Sequence, residues 1–164
     1  MSYFVEYFKR SRICEFDSLI VVVNSQIVDS PVQWVADHIR NYVESNGVEG
    51  HIWRGVPTLL LITKGHKSGL LRRTALIYGR DGDDYVVVAS KGGAPTDPLW
   101  YTNLKKESAV TIQVGASVLS GTASTYVQDT NREKVWQSMV AIWPGFAEYK
   151  EKTTRQIPLV RISL

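Results

Sequence analysis

Three apolar runs separated by glycine turns constrain this chain more than any other feature. Residues 57–63 form a run rich in leucine, with isoleucine and threonine, of the length a buried strand needs. Residues 65–69 are bracketed by Gly65 and Gly69 and read as a turn, and residues 70–78 read as the return strand of a hairpin. Asp81-Gly82 is a second turn signal, and the β-branched run at 85–89 is a third strand. Connections this short cannot hold helical crossovers, so neighbouring strands must run antiparallel.

The rest of the chain extends that pattern. Residues 110–114 alternate as a half-buried strand, 115–117 turn it back, and a strand follows to about Val127. Residues 157–162 close as a last strand. Helices flank these strands. Ser30 is placed to cap one and Pro31 suits its first position, with Val32, Val35, Ile39, Tyr42 and Val43 on one face and Gly47 as a stop. Asp97-Pro98 opens a short helix through Trp100, Tyr101 and Leu104. Thr130 and Glu133 form a capping-box pair ahead of Val135, Trp136, Met139, Val140 and Ile142, and Trp143-Pro144-Gly145 ends that helix before a turn with Phe146 and Tyr149. The expectation is a mainly β, α+β domain of about six antiparallel strands with peripheral helices, closed or half-closed as a barrel. It spans residues 30–164, and residues 1–29 form an N-terminal extension without clean periodicity.

Composition supports one compact domain. The 164 residues are 44% hydrophobic and 21% charged, which suits a packed core. A single cysteine, Cys14, excludes an internal disulfide framework and a multi-cysteine zinc site, and makes a reducing, cytoplasmic compartment the default. No stretch is long and apolar enough for a transmembrane helix, and the run at 19–23 is too short for a secretory signal. A dinucleotide glycine fingerprint, a Walker loop, a zinc-protease motif and a nucleophile elbow are all missing, and His38, His51 and His66 lie far apart, so no metal is expected. An enzyme without an evident acid, base, nucleophile or metal can still work if a cofactor carries the reaction.

Charge is unevenly placed. The net charge is only +3, too little for a nucleic-acid partner. Yet no Asp or Glu falls between His51 and Arg80, where Arg54, Lys64, Lys67, Arg72, Arg73 and Arg80 occur, with Lys91 just beyond. Two segments in this region suit an anionic ligand. The turn holding His66, Lys67 and Ser68 offers free amides, a point charge and a hydroxyl, and Arg72 adds a forked donor. Arg72 and Thr74 share a strand face and Arg73 takes the other, so one arginine faces a ligand and the other solvent. The second segment, Ser90, Lys91, Gly92, Gly93 and Ala94, follows a strand directly, and its glycines let a ligand approach the main chain. Trp100 and Tyr101 follow as walls for an aromatic ligand or as core.

In this order and spacing the segments resemble the deazaflavin-dependent nitroreductase and quinone reductase family, whose members use coenzyme F420. The resemblance runs from about Pro31 to Ile162 and includes Leu60-Leu61-Ile62-Thr63, the turn at 65–69, Arg72, residues 90–94, Trp100 to Leu104, the tail at 143–149 and Arg155-Gln156-Ile157-Pro158. It implies a split β-barrel of the flavin-mononucleotide-binding type. It implies that His66, Lys67, Ser68, Arg72, Thr74 and Leu76 hold the coenzyme together with Ser90, Lys91, Gly92, Gly93, Ala94, Trp100, Tyr101 and Asn103. Trp143, Phe146, Tyr149 and Ile77 would bound the substrate, with Ser90 and Tyr149 in catalytic roles.

The implied activity is hydride transfer from the reduced coenzyme to a quinone, nitroaromatic or activated enone. Some positions depart from the family pattern. His66 replaces a common arginine and Leu71 a common proline. Trp143, Phe146 and Ile77 stand where the nitroimidazole-activating branch carries tyrosines, which weighs against nitroimidazoles as substrates. The alternatives are a non-catalytic deazaflavin, flavin mononucleotide (FMN) or haem-binding split barrel. Partners are expected to be a small-molecule acceptor and no nucleic acid, as a monomer or homodimer, with peripheral membrane contact through the N-terminal segment as an option on the inner face.

Overall fold

The structure is a computed structural model in which residues 27–164 are described. Cys14, the apolar run at 19–23 and the proposed membrane contact of the N-terminal segment lie outside the described residues.

Six strands close into an antiparallel barrel. They are β3 (Val56–Lys64), β4 (Leu71–Asp81), β5 (Asp84–Val88), β6 (Ala109–Val114), β7 (Ser117–Thr125) and β8 (Leu159–Ser163). Neighbours around the barrel run β3, β4, β5, β8, β7, β6 and back to β3. A two-residue strand β1 (Ile27–Val28) adds in parallel to the start of β4, and β2 (Ile52–Trp53) adds to β3. Thus β1 falls within the stretch read as an extension from sequence.

Strand alternation builds two layers of core. Leu59 and Leu61 of β3, Val87 of β5, Ile112 of β6 and Ile162 of β8 meet inside the barrel. Leu60 faces the other way, onto helix α1 (Gln33–Glu44), where Ile39 and Tyr42 are fully buried. Val86 and Val88 turn outward onto α3 (Thr130–Ile142) and α4 (Gly145–Glu151), against Val135, Trp136, Met139 and Phe146. Both faces of these strands are covered, which is why they read as continuous apolar runs. At Gly79 a Cβ would meet Met139 Sδ at 2.6 Å, so α3 sits directly on the β4 backbone. The short helix α2 (Leu99–Leu104) contributes Tyr101 and Leu104 to the barrel core.

Tyr42 fastens α1 to the barrel. Its hydroxyl meets His51 Nδ1 at 3.0 Å and the Thr58 carbonyl at 3.1 Å, and accepts the Gly115 N–H at 2.8 Å. Burial pushes this phenol's pKa up from its ordinary value.

Three local expectations are corrected. Helix α1 begins two residues later than Pro31, with Val32 at its N-cap, because Ser30 Oγ accepts the Val32 N–H in a turn outside the helix. In α3 the cap is Asp129, which accepts the Arg132 N–H at 2.8 Å, and Glu133 pairs with Gln137 instead of closing a box with Thr130. Arg73 does not face solvent. It is 8% exposed and holds both oxygens of Asp29, at 2.7 and 3.1 Å, where β1 meets β4.

Candidate active site

A cavity of about 330 Å³ opens between α1, the β3–β4 hairpin, the loop after β5 and the α3–α4 corner. Ten of the sequence candidates border it: Thr74, Leu76 and Ile77 of β4; Ser90, Lys91 and Gly92 of the loop; Trp100 of α2; and Trp143, Phe146 and Tyr149 from the α3–α4 corner. The walls are aromatic. Trp34 stacks on Trp53 with ring centroids 5.7 Å apart, and Trp53 meets Trp143 at 5.6 Å. The Arg54 guanidinium lies over the Trp53 ring at 4.7 Å.

The loop is held rigidly. Lys91, Gly92 and Gly93 all take positive φ, at 48°, 64° and 83°, so the backbone curls through the left-handed region. Arg155 fixes this curl from behind. Its guanidinium, 14% exposed, donates to the carbonyls of Ala94 (2.8 Å), Ala89 (3.0 Å) and Ser90 (2.8 Å) and pairs with Asp97 Oδ1 (3.0 Å). The two glycines differ in role. A Cβ on Gly92 would meet nothing within 4 Å, so its face is open to a ligand. A Cβ on Gly93 would meet the Tyr149 carbonyl and Lys152 Cβ at 2.8 Å, so α4 fills that space. Lys91 Nζ donates to Thr96 Oγ1 at 2.9 Å.

The basic turn lies at the end of the same hairpin. Its Gly65 N–H donates to the Leu70 carbonyl and its Gly69 N–H to the Gly65 carbonyl, and Ser68 Oγ accepts the Leu70 N–H. Asn103, 5% exposed, anchors it: Oδ1 accepts the His66 N–H at 3.1 Å and lies 2.8 Å from His66 Nδ1, while Nδ2 donates to Thr63 Oγ1 at 3.1 Å. An amide oxygen only accepts, so His66 Nδ1 carries the proton. Lys67 and Arg72 remain exposed. Thr74 lies two residues along β4 from Arg72, roughly 7 Å at the usual strand rise, which joins the turn to the cavity.

His66, Lys67, Ser68, Arg72, Gly93, Ala94, Tyr101 and Asn103 are not in the cavity wall. Tyr101 packs in the barrel core with its hydroxyl 3.0 Å from Thr125 Oγ1. Sequence reasoning missed Trp34, His38, Trp53 and Thr58, all of which border the cavity. One signal was available: Trp34 and His38 stand four residues apart, beside the apolar face of α1. Among the described residues no cluster of His, Cys, Asp or Glu could hold a metal, and no helix is long and apolar enough to cross a membrane.

Known structures share this fold. An F420-H2 dependent reductase superposes with a TM-score of 0.60 at 38% identity, covering 69% of this chain and 98% of that one. A chain described as a domain-swapped dimer superposes with a TM-score of 0.62 at 36% identity, covering 82% of this chain and all of that one (100%). Barrel and site together define a split-barrel, coenzyme-dependent oxidoreductase. Residues 34–163 match the F420H(2)-dependent quinone reductase family, and the chain belongs to it. An F420H(2)-dependent quinone reductase of Mycobacterium tuberculosis is 40% identical over 132 residues, 79% of this chain and 89% of that protein. The chain is therefore an F420H2-dependent reductase, and coenzyme F420 is its cofactor.

The residues present fit that group. An open, left-handed glycine at Gly92 admits a flat ring against the backbone, and exposed Lys67 and Arg72 at the hairpin end suit an acidic tail.

Proposed function

We propose that this protein reduces a quinone by hydride transfer, with nitroaromatics and activated enones as further acceptors, and that it works in the cytoplasm. When bound, the coenzyme supplies the hydride. In this reading Lys67, Ser68 and Arg72 meet its anionic tail, and Ser90, Lys91, Gly92 and Trp100 border its ring. His66 and Asn103 act as the brace that sets the turn, and Gly93, Ala94 and Tyr101 as the packing behind it.

The observation that carries the acceptor class is the aromatic wall: Trp34, Trp53, Trp143, Phe146 and Tyr149 border one cavity. Such a wall takes a flat, uncharged ring and excludes water around it. Ile77, Trp143 and Phe146 leave Tyr149 as the only phenol of that group, which favours quinones over acceptors that need several hydroxyl contacts. Ser90 and Tyr149 hydrogen-bond the acceptor oxygen as negative charge develops on it.

Mixing the purified protein with reduced coenzyme and menadione tests this. Recovery of the oxidised deazaflavin absorbance, dependent on menadione, is expected. An unchanged absorbance, with coenzyme fluorescence also unchanged on adding protein, overturns it.

A further inference from the structure

Arg132, in the first turn of α3, is 8% exposed, and its Nη2 donates to the Ile157 carbonyl at 2.7 Å. Among the described residues it has no carboxylate partner, and its Nε and Nη1 have no protein acceptor. These two nitrogens are not sealed in. Among the described residues, closed-off side-chain nitrogens and oxygens without a partner occur only at His38 and Thr58, so Nε and Nη1 of Arg132 keep contact with solvent. A guanidinium has five N–H donors, and this one uses a single hydrogen bond to protein. Burying such a charge is costly unless an anion compensates it.

Arg132 borders a pocket of about 360 Å³ between the start of α3, the end of α4 and the chain leading into β8. None of the residues lining this pocket borders the coenzyme cavity. Lys150 of α4 stands exposed on the same wall, with its Nζ over the Trp136 ring at 5.5 Å and, among the described residues, no carboxylate partner. Thr153 and Thr154 add hydroxyls. The one carboxylate on the wall, Glu133, accepts from Gln137 Nε2 at 2.7 Å. Arg132 also borders a larger pocket of about 640 Å³, but there Lys105 and Arg155 both pair with Asp97. The uncompensated charge therefore belongs to the smaller pocket.

We propose that this smaller pocket binds a phosphate group, free or carried by a small molecule, with Arg132 as its main contact. Guanidinium, ammonium and hydroxyl donors border one space. A phosphate presents at least three strong acceptor oxygens and answers several such donors at once, whereas a carboxylate has two. The bound anion supplies the counter-charge that the buried arginine lacks. Because the pocket shares no wall with the coenzyme cavity, phosphate and coenzyme bind together.

Isothermal titration of inorganic phosphate into the full chain saturated with coenzyme F420 tests the site, with acetate as the carboxylate control at equal ionic strength. Phosphate is expected to bind with a Kd of about 1 mM or below, and about tenfold more tightly than acetate. AMP, titrated in parallel, separates the sources. Tighter binding than phosphate assigns the site to a phosphorylated small molecule, and equal or weaker binding assigns it to the free ion. Phosphate at about a hundredfold excess over Kd should raise Tm by about 5–10 °C relative to sodium chloride of the same ionic strength. Arg132→Met should lower the phosphate affinity by about tenfold or more, and Arg132→Lys should restore part of it. Lys150→Ala should lower it about threefold and leave Tm in chloride unchanged.

A wild-type protein that binds no phosphate, or whose Tm responds to phosphate no more than to chloride, overturns the site. So does unchanged affinity in a folded Arg132→Met. Where that variant does not fold, unchanged affinity in both Arg132→Lys and Lys150→Ala has the same force. Phosphate that binds the coenzyme-free protein and is displaced by F420 belongs to the coenzyme's own site, which also overturns the proposal. An arginine that only braces the Ile157 carbonyl would lower Tm in Arg132→Met with no phosphate response in the wild type.

Discussion

The basic turn at 65–72 and the loop at 89–97 both gather backbone amides around glycines, yet they are held in opposite ways. The turn is fastened at one point, Asn103, and its two exposed cations project from it. The loop is fastened from behind by four Arg155 contacts and from one side by α4 against Gly93. A charged tail tolerates loose placement, because Coulomb attraction falls slowly with distance. A ring that must transfer a hydride does not, because misplacement by an ångström lowers the rate steeply. With the tail and ring placed as proposed above, the difference in anchoring matches that difference in tolerance.

Breaking the rigid region should have the largest effect. Arg155→Ala leaves three carbonyls and Asp97 without their shared partner, and should lower stability by about 3 kcal/mol in urea unfolding. Its coenzyme affinity should fall with stability, because the loop loses its shape. Gly93→Ala comes next, at about 2 kcal/mol, since the added Cβ meets α4 and keeps a positive φ. Gly92→Ala, strained but facing open space, should cost about 1 kcal/mol and chiefly weaken coenzyme binding. If the two glycine variants lose stability equally, the loop is not packed as described.

The turn sharpens the contrast from the other side. Asn103→Ala should destabilise by about 1–2 kcal/mol, less than Arg155→Ala, and raise the coenzyme Kd modestly. The smallest structural effect belongs to Arg72→Ala. Its Tm should be unchanged, its coenzyme Kd about tenfold higher, and that difference should shrink as salt is added. A fall in Tm at Arg72→Ala would show that the turn is as built-in as the loop.

The fold was legible where local chemistry decides it. Glycine and Asp-Gly turns between branched runs gave the β3–β4–β5 order, with ends within a few residues of those observed. Helix starts were less legible, because Ser30, Asp129 and Thr130 are all good caps and only the final geometry selects Asp129. The two segments suited to an anionic ligand stand out because their glycines are adjacent in sequence to the basic and hydroxyl groups beside them. The wall proposed for the acceptor was legible only in part. Trp143, Phe146 and Tyr149 were named from the resemblance, whereas Trp34 and Trp53 come from distant segments and meet Trp143 only in the folded chain. Arg73 was misread for the same reason, since its partner Asp29 is 44 residues earlier.

Those three indoles have a practical consequence. Ring centroids under 6 Å apart bring their electronic transitions into coupling, so the near-ultraviolet circular dichroism of the protein should carry a tryptophan signal from this one corner. A guest sliding between the rings changes that signal directly. This wall of the cavity is thus a built-in optical gauge of occupancy, readable without any label.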